Sequence, residues 1–207
     1  ISPTPAFDST KPMSLRDLVK ISPLGCVGMF LLGGVFSAQF GMSAVYGAEV
    51  GLSVAQISMF AATFYIFATL LQYPLGWLSD RSDRRLIIAG ASSIAAISAA
   101  LIASGVLDAH LHLALGLMAG MLLPIYSICV AHANDRLSPA QIVPASGTLV
   151  LALNLGILVG SLIGPSVLAL AGPSGLMLFF ALVSSLTALL ALFRVTRSDA
   201  PKETRTA

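Results

Sequence analysis

The chain has 207 residues, 57% of them hydrophobic and only 10% charged, and its mean hydropathy is +0.92. Soluble domains carry roughly 25% charged residues, so a water-facing polar shell is excluded and lipid is the natural solvent for most of this surface. The net charge of +2 says less than the placement of the charges, which are gathered into a few short segments.

Residues 1–20 are polar, contain Lys11, Arg16 and Lys20, and read as a cytoplasmic linker in which Ser14 to Lys20 are expected to form a short interfacial helix. A first span is expected over about 23–48, with Gly25, Gly28, Gly33, Gly34, Gly41 and Gly47 allowing neighbouring helices to approach closely. Gly51-Leu52-Ser53 makes a tight turn, and Ser53 with Gln56 has the capping-box spacing, in which each side chain satisfies an orphan backbone donor. A second span over about 53–75 begins there. Gly76 to Arg85 is polar and reads as a loop, and a third span over about 86–107 holds no ionisable group.

Asp108, His110 and His112 mark a short turn before a fourth span over about 113–132, in which Pro124 is a kink candidate. Residues 134–144 form the next polar loop. The fifth span, about 145–171, carries Gly156, Gly160 and Gly164 at four-residue spacing, with Pro165 directly after, a stripe that favours close packing. Gly172-Pro173-Ser174-Gly175 reads as a turn, a sixth span covers about 176–193, and residues 196–207 form a polar tail. Spans of this length, at about 1.5 Å per residue, cross a hydrocarbon core of about 30 Å. The expected fold is all-α, a bundle of six transmembrane helices over residues 21–195.

Orientation follows from the basic residues. Lys11, Arg16 and Lys20 precede span one; Arg81, Arg84 and Arg85 lie between spans two and three; Arg136 lies between four and five; Arg194, Arg197, Lys202 and Arg205 follow span six. That accounts for all 11, and the alternate loops hold none. Six crossings with both termini in the cytoplasm satisfy this pattern. Cysteines placed at Ala109 and Ser174 are therefore expected to react with a membrane-impermeant thiol reagent from outside, and one at Ser82 is not. Labelling at Ser82 from outside intact cells would overturn the orientation.

Cys26 and Cys129 sit in apolar stretches without metal-ligand spacing and read as buried and inert. No metal or cofactor is expected, and no nucleic-acid partner. A membrane-embedded enzyme needs clustered His, Asp, Glu or a Ser–base pair near one interface. Asp108, His110 and His112 are the one such cluster, and their spacing in a short outer loop fits a polar cap.

The stretch after span two reads Gly76-Trp77-Leu78-Ser79-Asp80-Arg81-Ser82-Asp83-Arg84-Arg85. A positive-inside bias explains the arginines but not the Gly, the Leu two residues on and the Asp two further. The order resembles the signature loop of the major facilitator superfamily, Gly-x-Leu-x-Asp-Arg-x-Gly-Arg-Arg, which follows the second helix of each six-helix half. Asp83 stands where the family has its second Gly. Gly-Leu-Ser-Val-Ala-Gln before span two and Leu-Ser-Asp-Arg-x-Asp-Arg-Arg after it are similar to the bacterial YcaD-like branch. The resemblance implies the C-terminal half of a twelve-helix secondary transporter in a bacterial inner membrane, ion-coupled and working by alternating access. Its partner is an N-terminal six-helix half, in the same polypeptide or a separate chain. It also implies that Gly76, Leu78, Asp80, Arg81, Arg84 and Arg85 form a conformational latch. The other class of function is a non-transporting sensor or assembly domain of the same fold, separable by whether six further spans or a soluble signalling domain precede Ile1.

Ionisable groups inside a membrane mark function by default, and here Glu49 and His132 lie only at span ends. Polar uncharged residues do align at i, i+4 and i+7: Gln39, Ser43 and Tyr46 on span one, Tyr65, Thr69 and Gln72 on span two. With Tyr126 on span four and Asn154 on span five they are candidate cavity-lining residues, weighed against plain interhelical hydrogen bonding. The resemblance implies that the first, second, fourth and fifth helices of a half line the cavity. The substrate is not legible.

Overall fold

The computed structural model describes residues 12–106 and 111–197. Lys11, Asp108, Ala109, His110, Lys202 and Arg205 lie outside the described residues. Among those described there is no strand, and the order is α1 (Leu15–Ile21), α2 (Pro23–Glu49), α3 (Val54–Arg81), α4 (Arg84–Ala103), α5 (Leu111–Asn134) and α6 (Pro139–Arg197).

Each boundary has a local cause. Ser14 caps α1 by accepting from the Asp17 N–H at 3.2 Å, and Pro23 opens α2, where its missing N–H has no partner to lose. Gly51, at φ 79°, turns the chain after α2. The Ser53–Gln56 capping box is formed on both sides, with the Ser53 N–H donating to Gln56 Oε1 at 2.8 Å. Ser138 and Gln141 repeat half of that arrangement before α6, the Ser138 N–H donating to Gln141 Oε1 at 3.0 Å.

Three turns are shorter than the sequence suggests: the loop expected over 134–144 shrinks to residues 135–138, because α6 already begins at Pro139 behind the Ser138 cap. The polar stretch from Gly76 onward is not a loop: α3 runs through Pro74 and Gly76 to Arg81, and only Ser82 and Asp83 separate it from α4. In a bilayer an unpaired backbone group has no water to bond, so the helix continues until it reaches solvent. Likewise the turn at 172–175 shrinks to one residue. Gly172 alone leaves helical geometry, at φ 65° and ψ −167°, while Pro173 is comfortable in the first turn of the helical stretch beyond it. The 59 residues of α6 would span about 88 Å unbroken, so the break makes it two crossings, arms 139–171 and 173–197. Gly164-Pro165 lies within the first arm.

Apart from α4 and α5, helices adjacent in sequence are not the main neighbours. α2 packs most extensively on α6, α4 on α6 and α5, and α3 on α5, while α2–α3 and α3–α4 contacts are slight. The α2–α6 seam is built from glycine. A Cβ on Gly156 would collide with the Phe30 carbonyl, and one on Gly160 would sit 2.5 Å from the Gly34 carbonyl oxygen. Gly164 is looser, with Ala38 Cβ at 3.5 Å from the same hypothetical atom. α3 is the helix least covered by this bundle, with 17% of its most apolar window buried against 50 to 67% in the other long helices.

Candidate functional site

At the basic end of the bundle four helix termini are tied by two arginines. Arg84 spans three of them: its guanidinium donates to Asp80 at 2.9 Å and to Ser79 Oγ at 3.0 Å on α3, and to Asp135 just beyond α5 at 2.8 Å. Arg85, almost fully buried, grips Asp83 at 2.6 Å and donates to the Arg194 carbonyl on the second arm of α6 at 2.8 Å. Asp83 is the N-cap of α4, accepting from the Arg85 N–H at 3.0 Å with an ordinary extended backbone, φ −64°. The position therefore needs no glycine, which accounts physically for the departure from the signature. Hydrogen bonds from Arg85 hold the Asp83 carboxyl below its usual value, and they outweigh the burial that would raise it. Burial first, then the neighbouring Arg85 and Arg194 guanidiniums, lower that of Arg136.

The signature residues divide into two groups. Gly76, Leu78, Asp80 and Arg81 ride on the last turns of α3, not on a hairpin, while Arg84 and Arg85 open α4. Asp80 pairs with Arg84, and Arg81 instead lies over the Trp77 ring at 4.3 Å. Tyr73, Gly76, Trp77 and Asp80 share one side of α3. Tyr73 is 78% exposed, the Asp80 side chain is 66% exposed, and a Cβ on Gly76 would meet nothing within 4 Å.

The eight candidate cavity residues are not gathered into one site. Gln39, Ser43 and Tyr46 line a pocket inside the bundle, between α2, α3, α5 and the second arm of α6. Tyr65, Thr69 and Gln72 are exposed on α3, where Tyr65 stacks with Phe40 at 6.3 Å and Thr69 bonds its own helix at the Tyr65 carbonyl. Asn154 is exposed and donates to the Val150 carbonyl at 2.8 Å, and Tyr126 is half-buried. Glu49 is exposed at the end of α2, and His132 is buried near the basic end of α5. Sequence reasoning missed Asp83 and Asp135 as ion-pair partners and Phe60, Met118 and Met177 as pocket walls. The Asp83-x-Arg85 spacing was a readable sign of the first, but the rest needs helices far apart in sequence to be brought together.

The family model described as Major Facilitator Superfamily matches residues 25–207. The chain is 28% identical over 173 residues to an uncharacterized MFS-type transporter YcaD of Escherichia coli O6:K15:H31 (strain 536 / UPEC), a match covering 81% of this chain and 42% of that protein. It is 28% identical over 169 residues to the protein of the same name in strain HS, covering 79% of this chain and 41% of the relative. The chain thus spans less than half the length of the curated relatives it matches. No solved structure matches it. Long apolar helices and bacterial relatives make it a multi-pass inner-membrane protein resembling YcaD. With the signature on α3 and α4 and a family match over nearly its whole length, the chain belongs to the Major Facilitator Superfamily.

Proposed function

We propose that the chain is the C-terminal six-helix half of a secondary transporter that rocks against an N-terminal half and moves a small solute by alternating access. The observation that carries this reading is the bare side of α3. Its Tyr73, Gly76, Trp77 and Asp80 present aromatic surface, an open glycine and a carboxylate together at the basic end, where the signature implies a state-dependent contact. The match to well under half of each relative leaves length for such a partner. Both termini are cytoplasmic in this reading, and transport is ion-coupled. No Asp, Glu, Lys or Arg lies near the middle of a span, so the coupling carboxylate belongs to the other half.

Asp80 is the latch. Its Arg84 partner leaves the carboxylate largely open, free to meet a helix N-terminus of the opposite half, where an anion gains typically 0.3 to 1 kcal/mol and up to about 2 when partly buried. Because that contact forms in one state only, Asp80→Asn is expected to shift the population toward the inward-open form by up to about tenfold, at 1.4 kcal/mol per decade. Spectroscopic distances across the cytoplasmic mouth of wild type and Asp80→Asn check this. An unchanged distance distribution sinks the latch.

A further inference from the structure

Toward its basic end α2 changes partners. Its middle meets α6 through Phe30, Gly33 and Gly34, but its first turns lean on α5 instead. A Cβ on Gly28 would lie 3.1 Å from Cys129 Sγ, and one on Gly25 2.9 Å from Ala133 Cβ. No glycine of α2 meets α6 on the basic side of Leu153. The glycine seam therefore ends before the first turns of α6, yet Ala145, Thr148 and Leu149 there are all buried.

The short helix α1 lies at this place and is pinned at both ends. The Met13 N–H donates to the Pro144 carbonyl at 3.3 Å, and the Thr148 hydroxyl donates to the Met13 carbonyl at 2.5 Å. Both backbone groups of Met13 are thus held by α6. Leu18 is fully buried in the core that also contains Leu24, Ala145 and Leu149. At the other end only Ser22 separates α1 from α2. Ser22 is fully buried, its N–H donates to the Leu18 carbonyl at 2.8 Å, and its own carbonyl accepts from the Cys26 N–H at 3.0 Å. Helical bonding continues through the joint, so α1 has little freedom to swing. Seven residues are too few to hold a helix in isolation, so α1 owes its form to these contacts. Arg16, Asp17 and Lys20 stay on its exposed side.

We propose that α1 is a strut that locks the start of α2 to the start of α6, so that the helix leading into the bundle travels with this half when the cytoplasmic mouth opens. The rocking motion rests on the transport reading above, but the strut itself does not. Hydrogen exchange in the full-length polypeptide in detergent tests the strut. Thr148→Val removes the hydroxyl at nearly constant shape and is expected to speed exchange over residues 13–22 by about two- to tenfold. Thr148→Ser keeps the hydroxyl and is expected to stay within about twofold of wild type. If Thr148→Val lowers folded yield, Leu18→Ala loosens the strut from α1 itself, with exchange there at least about tenfold faster. Equal exchange in wild type and these variants overturns the proposal. Spectroscopic distances test the motion, with labels on cysteines placed at the exposed Arg16 and Val143. The distance between them is expected to be the same in wild type and in Asp80→Asn, while the distance across the mouth shifts. A label distance on α1 that changes together with the mouth overturns the proposal. If Asp80→Asn leaves the mouth itself unchanged, the latch fails, and hydrogen exchange alone decides the strut.

Discussion

Gly156→Leu is expected to leave little folded protein in the membrane, while Gly164→Ala is expected to match wild type in yield and thermal stability. Both lie on one face of the first arm of α6, yet they meet α2 at different distances. A Cβ at Gly156 collides with the Phe30 carbonyl and comes within 3.1 Å of Gly33 Cα. Gly33 answers from the other helix, where a Cβ would collide with the Leu153 carbonyl. Neither obstacle is a side chain that can swing away, so the helices must separate along their length. In lipid, where packing and not hydrophobic burial holds helices together, separation forfeits the contacts that define the bundle. Overpacking typically costs about 1 to 3 kcal/mol, and a rigid backbone obstacle puts Gly156→Leu at the upper end or beyond. Gly160→Leu falls close behind, because Gly34 Cα stands 2.7 Å from the added atom. At Gly164 the nearest atom is 3.5 Å away, an ordinary contact. Size-exclusion yield and melting temperature in detergent measure the series. Equal values for Gly156→Leu and Gly164→Ala would show that the seam is not what holds α2 to α6.

Helix number and the close-packing face of α6 are legible in the sequence because both rest on composition along one helix. The Ser53–Gln56 cap is legible for the same reason: its partners are three residues apart. Ser138–Gln141 carries the same spacing and was readable in principle, although Pro139 and Pro144 make that stretch look like loop. The end of α3 and the width of the break inside α6 were misjudged because Pro74, Gly76 and Pro173 are weighted by their behaviour in water. A bilayer penalises an open backbone more heavily, and the chain keeps its helix until Ser82 and resumes it directly after Gly172. The direction of the Gln39 face was not legible at all. Spacing shows that Gln39, Ser43 and Tyr46 share a side, but in lipid both the inside and the outside of a helix are apolar. Hydrophobic patterning therefore cannot tell which way that side turns. Only the packing of α2 on the first arm of α6 sends it toward α5 and the second arm.

Arg85→Met is expected to destabilise the protein by about 1 to 3 kcal/mol, the range for removing one partner from a buried, hydrogen-bonded ion pair that water still reaches from one side. The Arg85 side chain is 3% exposed and that of Asp83 20%, so the pair is screened little. The change leaves the Asp83 carboxylate with only backbone capping and the Arg194 carbonyl without its 2.8 Å donor. It also removes a guanidinium that lowers the pKa of Arg136, a relief that offsets part of the loss. A cycle with Asp83→Asn separates these terms: the double variant should lose less than the sum of the single ones, because the pair can be broken only once. pH gives a second readout. Arg85 depresses the Asp83 pKa below its ordinary 3.8 in the folded protein. The pair's contribution is therefore complete above that ordinary value and disappears as pH falls through the lowered folded value. The stability gap between wild type and Arg85→Met should accordingly be full at neutral pH and narrow on the acid side. Additive single-variant effects, together with a gap that does not change with pH, would mean that the Arg194 carbonyl, and not Asp83, is what Arg85 serves.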